Sequence, residues 1–119
     1  MDDSADQTPG SVVMLTGDLM FASRVKAAAE QAGLTYRMGA NLPEDHASKI
    51  RFVILDLSTR GKLITEIAEQ CQARCPQAKL IAYGPHVHVE KIQLAKQSGI
   101  PTVMTNGQFN GQLATMFTS

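Results

Sequence analysis

The chain has 119 residues, 44% hydrophobic and 18% charged, with 11 basic residues balancing 11 acidic ones, and two cysteines. That is one domain's worth of chain, able to bury roughly two-thirds of its unfolded surface around a core. It excludes a disulfide scaffold, a run of about 20 apolar residues spanning a bilayer, and the Lys/Arg clusters of a nucleic-acid binder; a cytoplasmic protein, with no signal-peptide core and neither membrane nor nucleic acid as partner, is the expectation.

The charge is unevenly spread. Asp2, Asp3 and Asp6 stand ahead of Pro9-Gly10, so residues 1–11 read as a flexible tail and residues 12–119 as one folded, mildly basic domain. Val12-Val13-Met14-Leu15 is a first strand, and Thr16-Gly17-Asp18 turns the chain. Asp18 suits a helix N-cap and Gly33 a helix stop, with Phe21, Val25, Ala28 and Ala32 repeating at helical spacing between them. Leu34 to Met38 alternates apolar and polar residues, as a strand at or near a sheet edge does. Pro43, Glu44 and Asp45 suit the first turn of a short second helix ending near Lys49.

Phe52-Val53-Ile54-Leu55 then runs straight into Asp56. A continuous apolar run closed by a polar residue is a strand buried on both faces, and chemistry in open parallel sheets sits beyond such strand ends. After the loop Leu57 to Gly61, a third helix is expected over residues 62–74, with Ile64, Ile67, Ala68, Cys71 and Cys75 inward and Pro76 ending it. Lys79 to Tyr83 is the fourth strand, closed by Gly84-Pro85. A fourth helix spans 87–97, with Ile92 and Ala95 inward and Gly99 as its stop. Thr102-Val103-Met104 is the fifth strand; Asn106-Gly107 breaks the chain, and Phe109, Leu113, Met116 and Phe117 mark a short last helix.

Five strand–helix units imply an α/β, flavodoxin-like (βα)5 three-layer sandwich with a parallel five-stranded sheet in the order 2-1-3-4-5. Its switch point lies between strands 1 and 3, which brings Thr16, Gly17 and Asp18 beside Asp56, with Tyr83, Gly84, Pro85, Thr105 and Asn106 on the same rim.

The residues allow plain and sharp readings. Asp56 is either a phosphoacceptor or a solvated strand-end residue paired with Arg60 or Lys62. Asp18 is explained by capping alone. Thr16-Gly17-Asp18 matches neither a P-loop nor a dinucleotide fingerprint and reads as a tight turn. His86 and His88 diverge at a helix start, no third ligand joins them, and His46 is unplaced, so no metal site is assigned. Cys71 and Cys75, four apart on one apolar stripe, read as buried free thiols.

The unit lengths, Ala32-Gly33, the run Phe52 to Asp56 and Ser98-Gly99 together resemble the receiver domain of bacterial two-component response regulators, over residues 12–117. The resemblance implies a phosphoacceptor at Asp56, an acidic pair holding Mg²⁺ at Thr16 and Gly17, a small hydroxyl residue at Tyr83 and a lysine at Asn106, followed by a proline where Gly107 stands. Of these five functional positions only Asp56 carries the expected residue. The chain is therefore similar to a pseudo-receiver: a non-catalytic signalling or protein-interaction module, needing no cofactor. Its implied partner is another protein or itself, through the face of helix 4, strand 5 and helix 5 (the short last helix). With no output domain or DNA-binding helix pair following, any effect would pass through a partner chain. One alternative is an active stand-alone receiver phosphorylated on Asp56 with Mg²⁺, Asp18 standing in for the acidic pair. The other is a ligand or enzyme site at the rim, using Thr16, Asp18, Asp56, Tyr83 and His86.

Overall fold

The structure, a computed structural model, describes residues 9–118. Of the expected tail, residues 1–8 lie outside the described residues, and Ser11 already belongs to the first strand. Among the described residues there are five strands: β1 (Ser11–Leu15), β2 (Thr35–Gly39), β3 (Ile50–Asp56), β4 (Lys79–Gly84) and β5 (Thr102–Thr105). Four α-helices accompany them: α1 (Leu19–Gln31), α2 (Ile67–Arg74), α3 (Val89–Gln97) and α4 (Asn106–Met116). All pairings are parallel and the strand order is β2-β1-β3-β4-β5, the flavodoxin-like order read from the sequence.

The two faces of β3 sort the core. Side chains alternate along a strand, so Val53 and Leu55 point to one side, with Val13, Leu15, Leu80 and Ala82, under Ile67 and Cys71 of α2 and Ala95 of α3. Phe52 and Ile54 point to the other side, with Val12, Met14, Ile81 and Tyr83, under Ala22, Val25 and Ala29 of α1 and Phe109 and Leu113 of α4. Helices therefore cover both faces, which makes three layers.

Several boundaries agree with the sequence. Asp18 caps α1, its side chain accepting from the Met20 N–H at 3.0 Å. Gly33 follows α1 at φ +80° and Gly99 follows α3 at φ +86°, a left-handed backbone that glycine adopts without the Cβ penalty.

Three local expectations are corrected. No second helix forms over residues 41–49; turns and a 3₁₀ turn at Ala47–Lys49 stand there, with His46 left-handed at φ 57°. Side chains from elsewhere take the carbonyls a helix would need: Arg37 donates to Asp45 O, Arg74 to Leu42 O and Gln77 to Ala47 O. The third helix starts late. Residues 61–63 form a 3₁₀ turn, and the bonds Leu63 N–H to Arg60 O, Ile64 N–H to Gly61 O and Glu66 N–H to Leu63 O keep the tighter three-residue spacing up to α2. Of the inner stripe, Ile64, Ile67, Cys71 and Cys75 are nonetheless buried as expected, and Ala68 is partly buried against the same core. Asn106-Gly107 does not break the chain. Thr105 caps α4 in a capping box, its Oγ1 accepting from the Gln108 N–H while Gln108 Oε1 accepts from the Thr105 N–H, so the last helix has 11 residues.

Phe109 ties α4 to the sheet: it is fully buried and stacks on Tyr83 with centroids 4.3 Å apart and planes 10° apart. Phe109→Ala is expected to lower the unfolding free energy by about 3–5 kcal/mol. Urea denaturation followed by circular dichroism checks this; a loss under about 1 kcal/mol would mean that α4 is not anchored through this ring.

Candidate functional site

Two residues beyond each core position on the α1–α4 side, the same faces of three adjacent strands continue as Thr16 (after Met14), Asp56 (after Ile54) and Tyr83 (after Ile81). The register puts Asp56 directly opposite Tyr83. The alternation that builds the core thus delivers these three side chains to one spot at the carboxyl rim.

Asp56 is buried there, only 2% exposed, and is not the solvated strand-end residue paired with Arg60 or Lys62. Its Oδ2 accepts from the Thr16 hydroxyl and from the Thr59 hydroxyl, each at 2.7 Å. Its Oδ1 accepts from the Ser58 N–H at 2.9 Å, the short-range bond of an Asx turn. Thr16 Oγ1 in turn accepts from the Asp18 N–H, and Thr59 Oγ1 accepts from the Gly17 N–H, both at 2.9 Å. Asp56, Thr16, Thr59 and two turn amides form one closed network. Arg60 straps it from outside: its guanidinium donates to Thr16 O at 3.1 Å and to Thr59 O at 3.2 Å rather than to the carboxylate.

Tyr83 fills the space beside Asp56 on an aromatic floor. Besides the Phe109 stack, Phe21 tilts against it with centroids 5.2 Å apart. Its hydroxyl is buried with no hydrogen-bond partner. Burial pushes the phenol up, the Asp56 charge adds to this, and the nearby Thr16 hydroxyl works in the other direction. Asn106 opens α4; its Oδ1 is buried without a hydrogen bond to the network. The residue that ends β5 is Thr105, already engaged as the cap. His86 is exposed in the loop before α3, His88 is the residue before α3, and His46 lies apart beside Asp45.

The sequence thus brings Thr16, Gly17, Asp18, Asp56 and Tyr83 together and does not bring the histidines into one cluster. It misses Thr59 and Ser58. The signal was present: an Asp followed at +2 and +3 by Ser and Thr is able to close on itself at a strand end.

Mg²⁺ takes near-octahedral oxygen ligands from one or two carboxylates plus water. The residues here do not fit it. Three acceptor positions of Asp56 are taken, Thr16 and Gly17 bring no charge, and Asp18 Oδ1 faces the Met20 N–H. Among the described residues no group of three or more His, Cys, Asp or Glu is placed to hold a metal ion. Cys71 and Cys75 are buried free thiols on the opposite side of the sheet, with Cys71 pushed up to about 12 mainly by burial. No helix among the described residues is long and apolar enough to cross a membrane.

No family model matches the chain, and no curated protein matches it. Solved structures do. A response regulator from Thermotoga maritima is 15% identical, with 90% of this chain and 98% of that chain covered, at TM-score 0.63. A response regulator from Burkholderia pseudomallei, solved with a phosphorylated aspartic acid, calcium and citrate, is 17% identical over 82% of this chain at TM-score 0.62. The match spans 59% of that protein's length. The receiver domain of Ssk1 from Saccharomyces cerevisiae, in complex with the histidine phosphotransfer protein Ypd1, is 11% identical, with 91% and 88% covered, at TM-score 0.61. The fold is that of receiver domains.

The two tyrosines report burial on the α1–α4 side of the sheet. Tyr36, at the sheet edge, is pushed up to about 12 by burial, and Tyr83 is raised further by burial and by Asp56. Both phenols stay protonated in the fold above the ordinary tyrosine value of about 10. Their contribution to stability is therefore complete below pH of about 10 and is lost as the pH rises toward the folded-state values. Absorbance titration at high pH is expected to show no phenolate step near pH of about 10 in folded protein, with ionisation accompanying alkaline unfolding. In the Tyr36→Phe variant, a reversible phenolate step near that pH with the fold intact would contradict the burial of Tyr83.

Proposed function

We propose that this chain is a receiver-like signalling module of the cytoplasm whose phosphorylation site is degenerate, and that it works by binding another protein or itself rather than by catalysis. The observation that carries this is the state of Asp56. Phosphoryl transfer depends on positioning an attacking oxygen in line and on neutralising charge with a metal and a cation. Here both carboxylate oxygens are engaged, the group is almost fully buried, and the one guanidinium close by is spent on two backbone carbonyls. Tyr83 occupies the space of a small hydroxyl residue, and Thr105 with Asn106 spends the end of β5 on starting α4.

Binding needs a surface. Val87 and Val89, just before and at the start of α3, and Leu94 within it are exposed large apolar residues. They lie on the α3 part of the proposed α3, β5 and α4 contact, and Leu19 and Met20 at the start of α1 are exposed apolar residues as well. Among the structural neighbours, Ssk1 is held by another protein through its receiver domain, which supports a protein as the partner class here.

The test is intact-mass spectrometry after incubation with acetyl phosphate and Mg²⁺, with Asp56→Asn as the control and a phosphorylatable receiver run alongside. No mass gain is expected. A phosphate-sized gain that Asp56→Asn abolishes would overturn the proposal and make this an active stand-alone receiver.

A further inference from the structure

At the opposite end of the sheet from Asp56, a cleft of about 270 Å³ is lined by Pro9, Ser11, Thr35, Arg37, Asp45, His46 and Lys49. Three unusual features meet there. Ser11 is 4% exposed, and its hydroxyl is buried without a hydrogen-bond partner. The pairing of β1 with β3 shifts register between Ser11 and Val12, and such irregularities re-aim side chains. His46 is the one non-glycine residue with positive φ among the described residues, a conformation that needs surrounding support to persist.

The cleft carries donors suited to an anion. Among the described residues, Arg37 brings a guanidinium, His46 an imidazole and Ser11 a hydroxyl, beside the carboxylate of Asp45. That carboxylate already shows what the site holds: Asp45 Oδ1 accepts from Arg37 Nη2 at 2.8 Å, and Oδ2 lies 3.8 Å from His46 Nε2. Arg37 also donates to Asp45 O at 3.1 Å. The Asp45 side chain is largely exposed, so it can leave without uncovering core. A guanidinium fork, an imidazole and a hydroxyl recognise a carboxylate or a phosphate ester alike. Pro9 and the aliphatic stems of Arg37 and Lys49 suit an apolar body attached to it.

We propose that this cleft is a second binding site, independent of the Asp56 rim, for a small molecule carrying one carboxylate or phosphate group on a short apolar stem, with the Asp45 carboxylate as its resident stand-in. The bound oxyanion replaces Asp45 on Arg37 and gives the Ser11 hydroxyl the acceptor it lacks.

The test is an NMR titration of the full chain with butyrate and with phenyl phosphate, using butylammonium as the control cation. Saturable shifts are expected at Ser11, Thr35, Arg37 and His46 with either anion and none with the cation; saturation by one anion alone selects between carboxylate and phosphate. Arg37→Ala should weaken binding by about tenfold or more, the size of a lost charge-assisted bond. Asp45→Asn should tighten it, because the competing carboxylate is gone. Ser11→Ala should weaken binding while leaving the melting temperature unchanged or higher, since an unpartnered buried hydroxyl does not stabilise the fold. This variant decides the matter if Arg37→Ala fails to fold. Shifts that never saturate, that butylammonium reproduces, or that survive Ser11→Ala and Asp45→Asn unchanged would overturn the proposal.

Discussion

The structure depends on β3 being buried on both faces at the centre of the sheet. A strand in that position has no solvent side on which to place a polar residue, so each side chain enters one of two cores. Apart from Arg51, exposed near the strand's start, the residues before the rim meet that condition, Ile50, Val53 and Leu55 on the α2–α3 side and Phe52 and Ile54 on the α1–α4 side. The last, Asp56, continues the Ile54 column and reaches the rim still enclosed. A carboxylate held out of water must be supplied with donors or become costly. The neighbouring strand end and the following turn supply them, through Thr16, Thr59 and the Ser58 amide.

This one requirement shapes the local chain. Serving Asp56 fixes Thr16, and Thr16 Oγ1 then receives the Asp18 N–H, which helps set the entry angle of α1. Holding Thr59 over the carboxylate keeps the loop turning after β3; the Arg60 N–H bonds back to Asp56 O, and the tight three-residue spacing continues to Glu66. A regular helix from residue 62 is displaced by these bonds. The aromatic floor works from beneath: Phe21, Tyr83 and Phe109 join α1, β4 and α4 under the network, and Arg24 links α1 to Asn110 across the top.

Much of this was legible in the sequence, and the illegible part has a physical pattern. The strands, their order and the glycine stops follow from period-two alternation, apolar runs and φ preference, which are local properties. The edge position of β2 followed from its half-polar alternation. The absent second helix is decided by distant side chains. Residues 41–49 carry a plausible helix start, yet Arg37, Arg74 and Gln77 compete for their carbonyls from elsewhere in the fold. Asn106-Gly107 taken alone reads as a break, and the capping box of Thr105 with Gln108 makes it the first turn of α4. The site was half legible: rim geometry put Thr16, Asp18 and Tyr83 near Asp56, whereas the burial of Asp56 could only come from packing, and Thr59 went unnoticed because a threonine in a loop carries no signal until its acceptor is located.

The two ends of the sheet handle their charged groups in different ways, while each holds a buried hydroxyl without a partner, Tyr83 at the carboxyl end and Ser11 at the amino end. At the carboxyl end the charged group is saturated by groups fixed in turns, so a change of state there would require breaking several bonds at once. At the amino end the Ser11 hydroxyl is left without a partner, the Arg37 guanidinium is held by a carboxylate on an exposed side chain, and the backbone at His46 is left-handed. Groups that are buried and unsatisfied, or satisfied only by an exposed side chain, retain free energy that a ligand can recover. The Tyr83 hydroxyl meets the first condition at the carboxyl end, but the Ser11–Arg37 end meets both, and a cleft opens on it.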